Sequence, residues 1–348
     1  MGMDIDHHQN EILIPGVGPA VPPKAPIEAS GTATAVWGNP EEPDFNTLLF
    51  AMDFFTKYFW MLTNTLGIPG NAISFFISLM KENRQFSTCI YMAALAIVDT
   101  AHLLDLFWIG GQSEFQIQCV YYTGYSMGIL SGLFLTMMSV DRLIVVRFPL
   151  AAKRTCTTKR ALKAIAVSVV LVMGINVHIF FIFKQAVDKS HFIKVIIPGY
   201  PALETAVNMF HLTFGSIAPF AIIIVCNIWI IVTLRAASKD RKAMVAKKVA
   251  ISQEKDTRHL TRMLLFVCAA YIMTSLPYRM HDLVLTIPVL REMYDLTERY
   301  WYLRYTTQYY VLLAVWHWNY GINFYLYCIG GGKKYRADVL RLFRCKVK

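Results

Sequence analysis

The chain has 348 residues, of which 55% are apolar and only 16% charged, with a formal net charge of +11. A soluble domain carries about 25% charged residues, so this composition, with a mean hydropathy of +0.42, excludes an ordinary soluble protein. It does not point to nucleic acid either, because the basic residues sit in short segments between long apolar runs.

Residues 1–44 are rich in Pro, Gly and Ala, the composition of a disordered tail, taken here to extend to residue 54. His7-His8 within it is a metal-binding pair or, more simply, a solvated one. The basic start and compact apolar core of a secretory signal peptide are missing, so the first apolar span is expected to act as an uncleaved signal-anchor. No Asn-X-Ser/Thr sequon occurs.

Seven apolar segments follow, near 56–80, 88–110, 117–147, 162–184, 206–234, 260–287 and 303–329, here numbered spans 1 to 7. Each is long enough to cross a hydrocarbon core of ~30 Å, which takes roughly 20 helical residues. Helices are required, because lipid offers no partner to open backbone groups. Segments 81–87, 142–163, 235–262 and 333–348 hold 25 of the 34 Lys and Arg residues. An excess of basic residues marks the cytoplasmic side, which puts the N-terminus outside and the C-terminus inside. Beyond span 7, Gly330-Gly331-Gly332 breaks the helix. Lys333–Lys348 then places Tyr335, Val339, Leu342 and Phe343 on one face and basic residues on the other, as in a helix lying on the inner leaflet. Cys345 near its end is a lipidation candidate or a free thiol.

Three polar features inside these spans are costly in lipid and therefore point to function. Asp99 lies in the middle of span 2, where Asn71, Ser131, Asn319 and Asn323 from spans 1, 3 and 7 are its candidate partners. Asp141-Arg142-Leu143 closes span 3, and Pro149 follows. Span 7 ends in Asn323-Phe324-Tyr325-Leu326-Tyr327. Neither a His-Glu-x-x-His motif nor a paired catalytic Asp is found, so an enzyme is not expected.

Together these residues resemble the rhodopsin-like (class A) family of G-protein-coupled receptors over about residues 55–345. The resemblance implies an all-α membrane protein, a seven-transmembrane helix bundle (55–332) with a short cytoplasmic amphipathic helix and tail (333–348). It implies a sodium ion held by Asp99 and Ser131 within the polar cluster, and no other cofactor. It implies a switch in which Asp141 restrains Arg142 until activation, with Tyr327 as a further switch residue. The implied partners are an extracellular peptide or small-molecule ligand, a heterotrimeric G protein and the lipid of the plasma membrane, with no nucleic acid. Invertebrate FMRFamide-type peptide receptors look most similar.

The chain also departs from the family pattern. Phe324 stands where the family has Pro, Ser275 where it has Trp, Tyr271 where it has Phe and Asn227 where it has Tyr, and span 4 lacks its usual Trp. Thr257 occupies a position that is often acidic in the family, so the tie from Arg142 to span 6 is weak or hydroxyl-based and appreciable basal activity is expected. Cys119 is near the family's bridging cysteine, but residues 185–205 contain no Cys to receive it.

Gly124 occupies the position where amine receptors keep an Asp, and span 7 has no Lys to carry retinal, which disfavours an amine receptor and a light sensor. The outer halves of the spans offer Asp105, Tyr121, Tyr125, His211, Tyr278, Arg279, Asp282, Gln308 and His317 as ligand-binding candidates, a mixed-charge aromatic wall suited to a peptide. Arg279 either pairs with a ligand carboxylate or carbonyl, or is occupied by Asp105, Asp282 or the outer surface. Two rival readings stay open. One is a receptor-like scavenger or dimer partner that no longer signals. The other is a small-solute transporter, for which Asp99 would be the coupling charge.

Overall fold

A computed structural model describes residues 45–105, 114–188, 191–196, 201–243, 251–286 and 299–344. Over the described residues each of the seven expected spans is mainly helical, but span 4, expected to reach 184, leaves the helix at Asn176 and its residues 183–184 are in a strand. Span 1 is a continuous rod made of Phe45–Phe54, a π-turn Phe55–Phe59 and Trp60–Ser78. It begins eleven residues ahead of the expected 56, so residues 45–54 belong to the bundle and not to the tail. Residues 1–44, with His7-His8, lie outside the described residues, as does Cys345.

Span 2 is Ser87–Asp105, span 3 Glu114–Arg147, span 4 Thr158–Asn176 with a short turn Ile179–Ile182, span 6 Ile251–Thr286 and span 7 Arg299–Gly330. Span 5 runs from Pro201–Leu212 through a π-turn Thr213–Ile217 into Ala218–Ala243. The π-turn has a local cause. Pro219 has no N–H for the carbonyl of Gly215 and its ring would crowd that oxygen, so the preceding turn widens. Span 7, with Phe324 in place of a proline, is helical from end to end.

The all-α expectation has one exception. Phe183–Asp188 and His191–Ile196 form an antiparallel hairpin, with Phe183 opposite Ile196 and Asp188 opposite His191. This is the segment that has no cysteine to anchor it, and backbone pairing gives it its order instead.

Five of the described helices are apolar enough to cross a membrane by composition alone: spans 2 to 6. Spans 1 and 7 carry too many polar residues for that, and they hide them against each other. Asn71 donates to the Tyr320 carbonyl at 2.9 Å, and His317 meets Asn64 at 3.3 Å. The two backbones touch: a Cβ on Gly67 would lie 2.6 Å from the Gly321 Cα. Small residues permit such an approach in lipid, where there is no hydrophobic drive between helices. Spans 4 and 5 do the reverse. Val170, Leu171, Val225, Ile228 and Val232 are exposed, as lipid-facing residues should be.

The core lies between spans 2, 3 and 6, around Leu95, Leu130, Phe134, Leu135, Met138, Val267 and Cys268. At the inner end, Pro149–Thr155 forms a short helix after span 3, and Gly332–Arg344 forms the expected amphipathic helix. Gly332 turns the chain with φ +59, a conformation that favours glycine. Tyr335 and Asp338 face the bundle. Tyr335 shares a hydrogen bond with Ser74 at 3.2 Å, and Asn83 donates to Asp338 at 3.3 Å. Phe343 is exposed, as is Leu340, so Phe343 is not on the bundle-facing stripe with Tyr335, Val339 and Leu342. A helical repeat of 3.6 residues puts it instead on the flank that meets lipid.

Candidate functional site

The polar residues assemble into three layers along the bundle. The middle layer is centred on Asp99, which is 0% exposed. Ser131 of span 3 donates to its Oδ1 at 2.8 Å, and Asn323 of span 7 donates to its Oδ2 at 2.7 Å. The amide oxygens of Asn71, Asn319 and Asn323 are buried without hydrogen-bond partners, as is the amide nitrogen of Asn319. Asn319 precedes Asn323 by one helical turn and shares its face. A carboxylate, a hydroxyl and unsatisfied amide oxygens form the donor set that a hard cation takes, so the residues fit the sodium ion that the family resemblance implies. Among the described residues, no three His, Cys, Asp or Glu side chains converge.

The inner layer holds Arg142. It is 2% exposed, and its Nη2 lies 2.9 Å from Asp141 Oδ2. Asp141 is braced in turn from span 2. Ser87 donates to its Oδ1 at 2.7 Å and Thr88 to its Oδ2 at 2.8 Å. Both hydroxyls open a helix whose N-terminal end favours negative charge. The sequence reading did not single out Ser87 or Thr88, although two adjacent hydroxyls at the start of a span are a visible signal. Cys156 donates to the Asp141 carbonyl at 3.6 Å. Burial, and after it the Asp141 charge, pushes this thiol up to about 11, so it stays protonated and able to donate. Two polar atoms of the layer remain unsatisfied: Arg142 Nε and the Tyr327 hydroxyl, both buried without a hydrogen-bond partner. The side chain of Thr257 lies outside the described residues.

The outer layer is aromatic. Arg279 sits over two rings, 5.0 Å from the Trp316 centroid and 5.2 Å from that of Tyr278, and these rings stack on each other at 4.9 Å. Its ion pair with Asp282 is loose, at 3.4 Å. Of the alternatives for Arg279, the structure therefore places Asp282 beside it. The side chain of Asp105 lies outside the described residues. Tyr278 also reaches the hydroxyl of Tyr309 at 3.4 Å. Tyr121 stacks on Tyr125, and Tyr125 meets His211 edge-on at 4.8 Å.

Two candidates do not join this group. Gln308 is exposed near the outer end of span 7. His317 is buried, turned toward Asn64 and the ring of Trp60, because span 7 directs that face at span 1. A residue not singled out packs on Trp316 and also lies 5.5 Å from the His317 ring. His102, one turn outward from Asp99, lies 3.8 Å from the Tyr320 ring and 5.4 Å from that of Trp316. It links the outer aromatic layer to the helix that carries Asp99. A histidine within an apolar span was the available signal.

The upper part of span 3 is held without a disulfide. Gln118 donates to the Phe180 carbonyl at 3.4 Å, Tyr122 to the Met173 carbonyl at 3.0 Å, and Asn176 to Ser126 at 3.2 Å. The span 3 members recur every four residues, so all three face span 4. Cys119 is a free thiol.

Comparison with known proteins agrees with this arrangement. Residues 70–320 match the profile of the 7 transmembrane receptor (rhodopsin family). Among curated proteins, the chain is similar to cysteinyl leukotriene receptor 1 of Mus musculus, 24% identical over 63% of this chain and 62% of the relative. It is similar to somatostatin receptor type 3 of Mus musculus, 22% identical over 75% and 65%. It is also similar to C-C chemokine receptor 1-like protein 1 of Mus musculus, 23% identical over 67% and 66%. The chain thus spans slightly less than two thirds of the length of these relatives, 62 to 66%.

Proposed function

Because the chain belongs to the rhodopsin family of seven-transmembrane receptors, and is a multi-pass membrane protein and not an enzyme, we propose that it is a G-protein-coupled receptor of the plasma membrane. Its N-terminus is outside and its C-terminus inside, following the distribution of basic residues. The observation that carries the reading is the inner layer. Arg142 is buried and held by Asp141, while Arg142 Nε and the Tyr327 hydroxyl have no hydrogen-bond partner. A buried polar atom left unpaired costs about 1–3 kcal/mol. This arrangement therefore holds an unmet demand that a rearranged inner end, opened toward a heterotrimeric G protein, can satisfy. Releasing Arg142 from Asp141 is the switch.

The ligand is extracellular, and a peptide fits best. Arg279 is held mainly by ring faces and only loosely by Asp282, which leaves its guanidinium donors available to a carboxylate or carbonyl. The rings of Tyr125, Tyr278 and Trp316 and the imidazole of His211 supply apolar surface with polar edges around it. A ligand drawing on Arg279 shifts the Trp316 and Tyr278 stack, and with it His102 and Tyr320 above the Asp99 cluster. The bundle has an inactive and an active state, and the ligand acts by binding one better than the other.

A sodium ion is the cofactor proposed for the middle layer, held by Asp99 and Ser131 with amide oxygens from Asn71, Asn319 and Asn323. Its charge offsets a carboxylate that has no cationic partner among these residues. Exchanging sodium for the larger N-methylglucamine should lower the thermal stability of purified receptor, and Asp99→Asn should abolish that dependence. Equal melting temperatures in both salts would exclude the ion.

The receptor reading is tested by G-protein activation in cells, basal and across a neuropeptide library, comparing wild type with Arg142→Ala at matched surface expression. The expected result is a wild-type signal that the substitution removes. Silence of wild type at good surface expression, across every G-protein class, would overturn coupling and favour the scavenger reading. The losses at Ser275, Asn227 and Phe324 are what keep that second reading in play.

A further inference from the structure

Two imidazoles meet near the outer ends of spans 4 and 5. The rings of His178, in the turn that follows the main helix of span 4, and His211, in span 5, are 5.5 Å apart in a T-shaped arrangement. His178 Nδ1 lies 2.7 Å from the carbonyl of Ile175. A carbonyl can only accept, so Nδ1 carries the proton. The lone pair is therefore on Nε2, which is buried and has no hydrogen-bond partner. An imidazole with one nitrogen committed to a carbonyl and the other bare is in the tautomer and orientation of a metal ligand. The facing ring is held in place by Tyr125, edge-on at 4.8 Å, and His211 is 92% buried, given its 8% exposure. Nothing in the switch described above uses His178.

The geometry points to a Zn2+ site between His178 and His211 that bridges spans 4 and 5. Imidazole nitrogen suits zinc and its transition-metal neighbours, whereas magnesium and calcium take oxygen. Two protein nitrogens fill half of a tetrahedral shell, and water or a donor atom from the ligand fills the rest. The ion enters from the outer aqueous side and ties the turn that ends span 4 to span 5 beside Tyr125.

The test uses the purified full-length chain in lipid nanodiscs, titrated with zinc chloride, and needs no signalling readout, so it stands or falls apart from the receptor reading. Saturating zinc is expected to raise Tm by about 3–6 °C, since a ligand that binds only the folded state stabilises it. Magnesium at the same concentration should give no rise. His178→Gln and His211→Gln should each remove the rise and one bound zinc per chain. Zinc held by His7-His8 would survive both substitutions and leave Tm unmoved. No rise in wild type, or a rise that either substitution leaves intact, overturns the site. Should a variant prove unstable without zinc, cobalt bound to wild type decides. Visible absorption of a tetrahedral cobalt–imidazole centre supports the site, and its absence at saturating cobalt overturns it.

Discussion

The two ends of span 3 are fixed to their neighbours by different physics. At the inner end, a charged pair is buried and braced: Arg142 on Asp141, and Asp141 on Ser87 and Thr88. At the outer end, neutral hydrogen bonds from Gln118 and Tyr122, and one received by Ser126, join the span to span 4 where the family uses a disulfide. Hydrogen bonds to charged groups contribute about 1.5–3 kcal/mol each, and neutral ones about 0.5–1.5. The inner end is therefore held the more stiffly, as the proposed switch requires. The outer end is a softer seam that can adjust to what binds beside it.

The largest effect that would break this contrast is at Asp141. In Asp141→Ala, Arg142 loses its partner while still 2% exposed, and breaking a buried pair costs about 3–5 kcal/mol. If the proposed switch is right, that cost falls on its restrained state, so basal G-protein activation per surface receptor should rise several-fold and Tm should fall. Replacing both braces, Ser87→Ala with Thr88→Val, should reproduce a milder form of the same phenotype. A double variant with wild-type basal signal and Tm would show that Asp141 does not depend on span 2.

At the outer end the effects should be smaller. Tyr122→Phe removes one neutral bond to the Met173 carbonyl and keeps the ring, so it should cost about 1 kcal/mol, seen as a drop of a few degrees in Tm with basal signal unchanged. A rise in basal signal in this variant would mean that the seam also controls the switch. The smallest expected effect is none. Reductant should leave Tm and ligand response unaltered, because Cys119 is free and residues 185–205 contain no Cys. A loss of response on reduction would reveal a bridge elsewhere and undo the comparison.

How far the sequence could be read varied with the physics of each feature. Apolar length gave all seven spans, because the hydrocarbon core sets how many residues a helix must spend inside it. Asp99, with Ser131 and Asn323, was legible because a polar group in lipid demands partners, and few are on offer. Span 1 was marked too short: its outer turns Phe45–Phe54 are mostly apolar, with Asn46, Thr47 and Asp53 interrupting the run, and they pack along span 7. What apolar length could not show is that spans 1 and 7 hide Asn64, Asn71 and His317 against each other.

By itself, then, the sequence determined the class of fold, the location of the buried charges and the absence of the outer bridge. These follow from the cost of placing each residue type in lipid, which is local to the chain. Only the tertiary structure decided which hydroxyls brace Asp141, that Arg279 lies over Trp316 with Asp282 beside it, and that His102 packs on Trp316 while His317 reaches Asn64. Those choices depend on the rotation of one helix against another, set by close packing at points such as Gly67 against Gly321. Residue periodicity gives the faces of each helix but not which neighbour each face will meet.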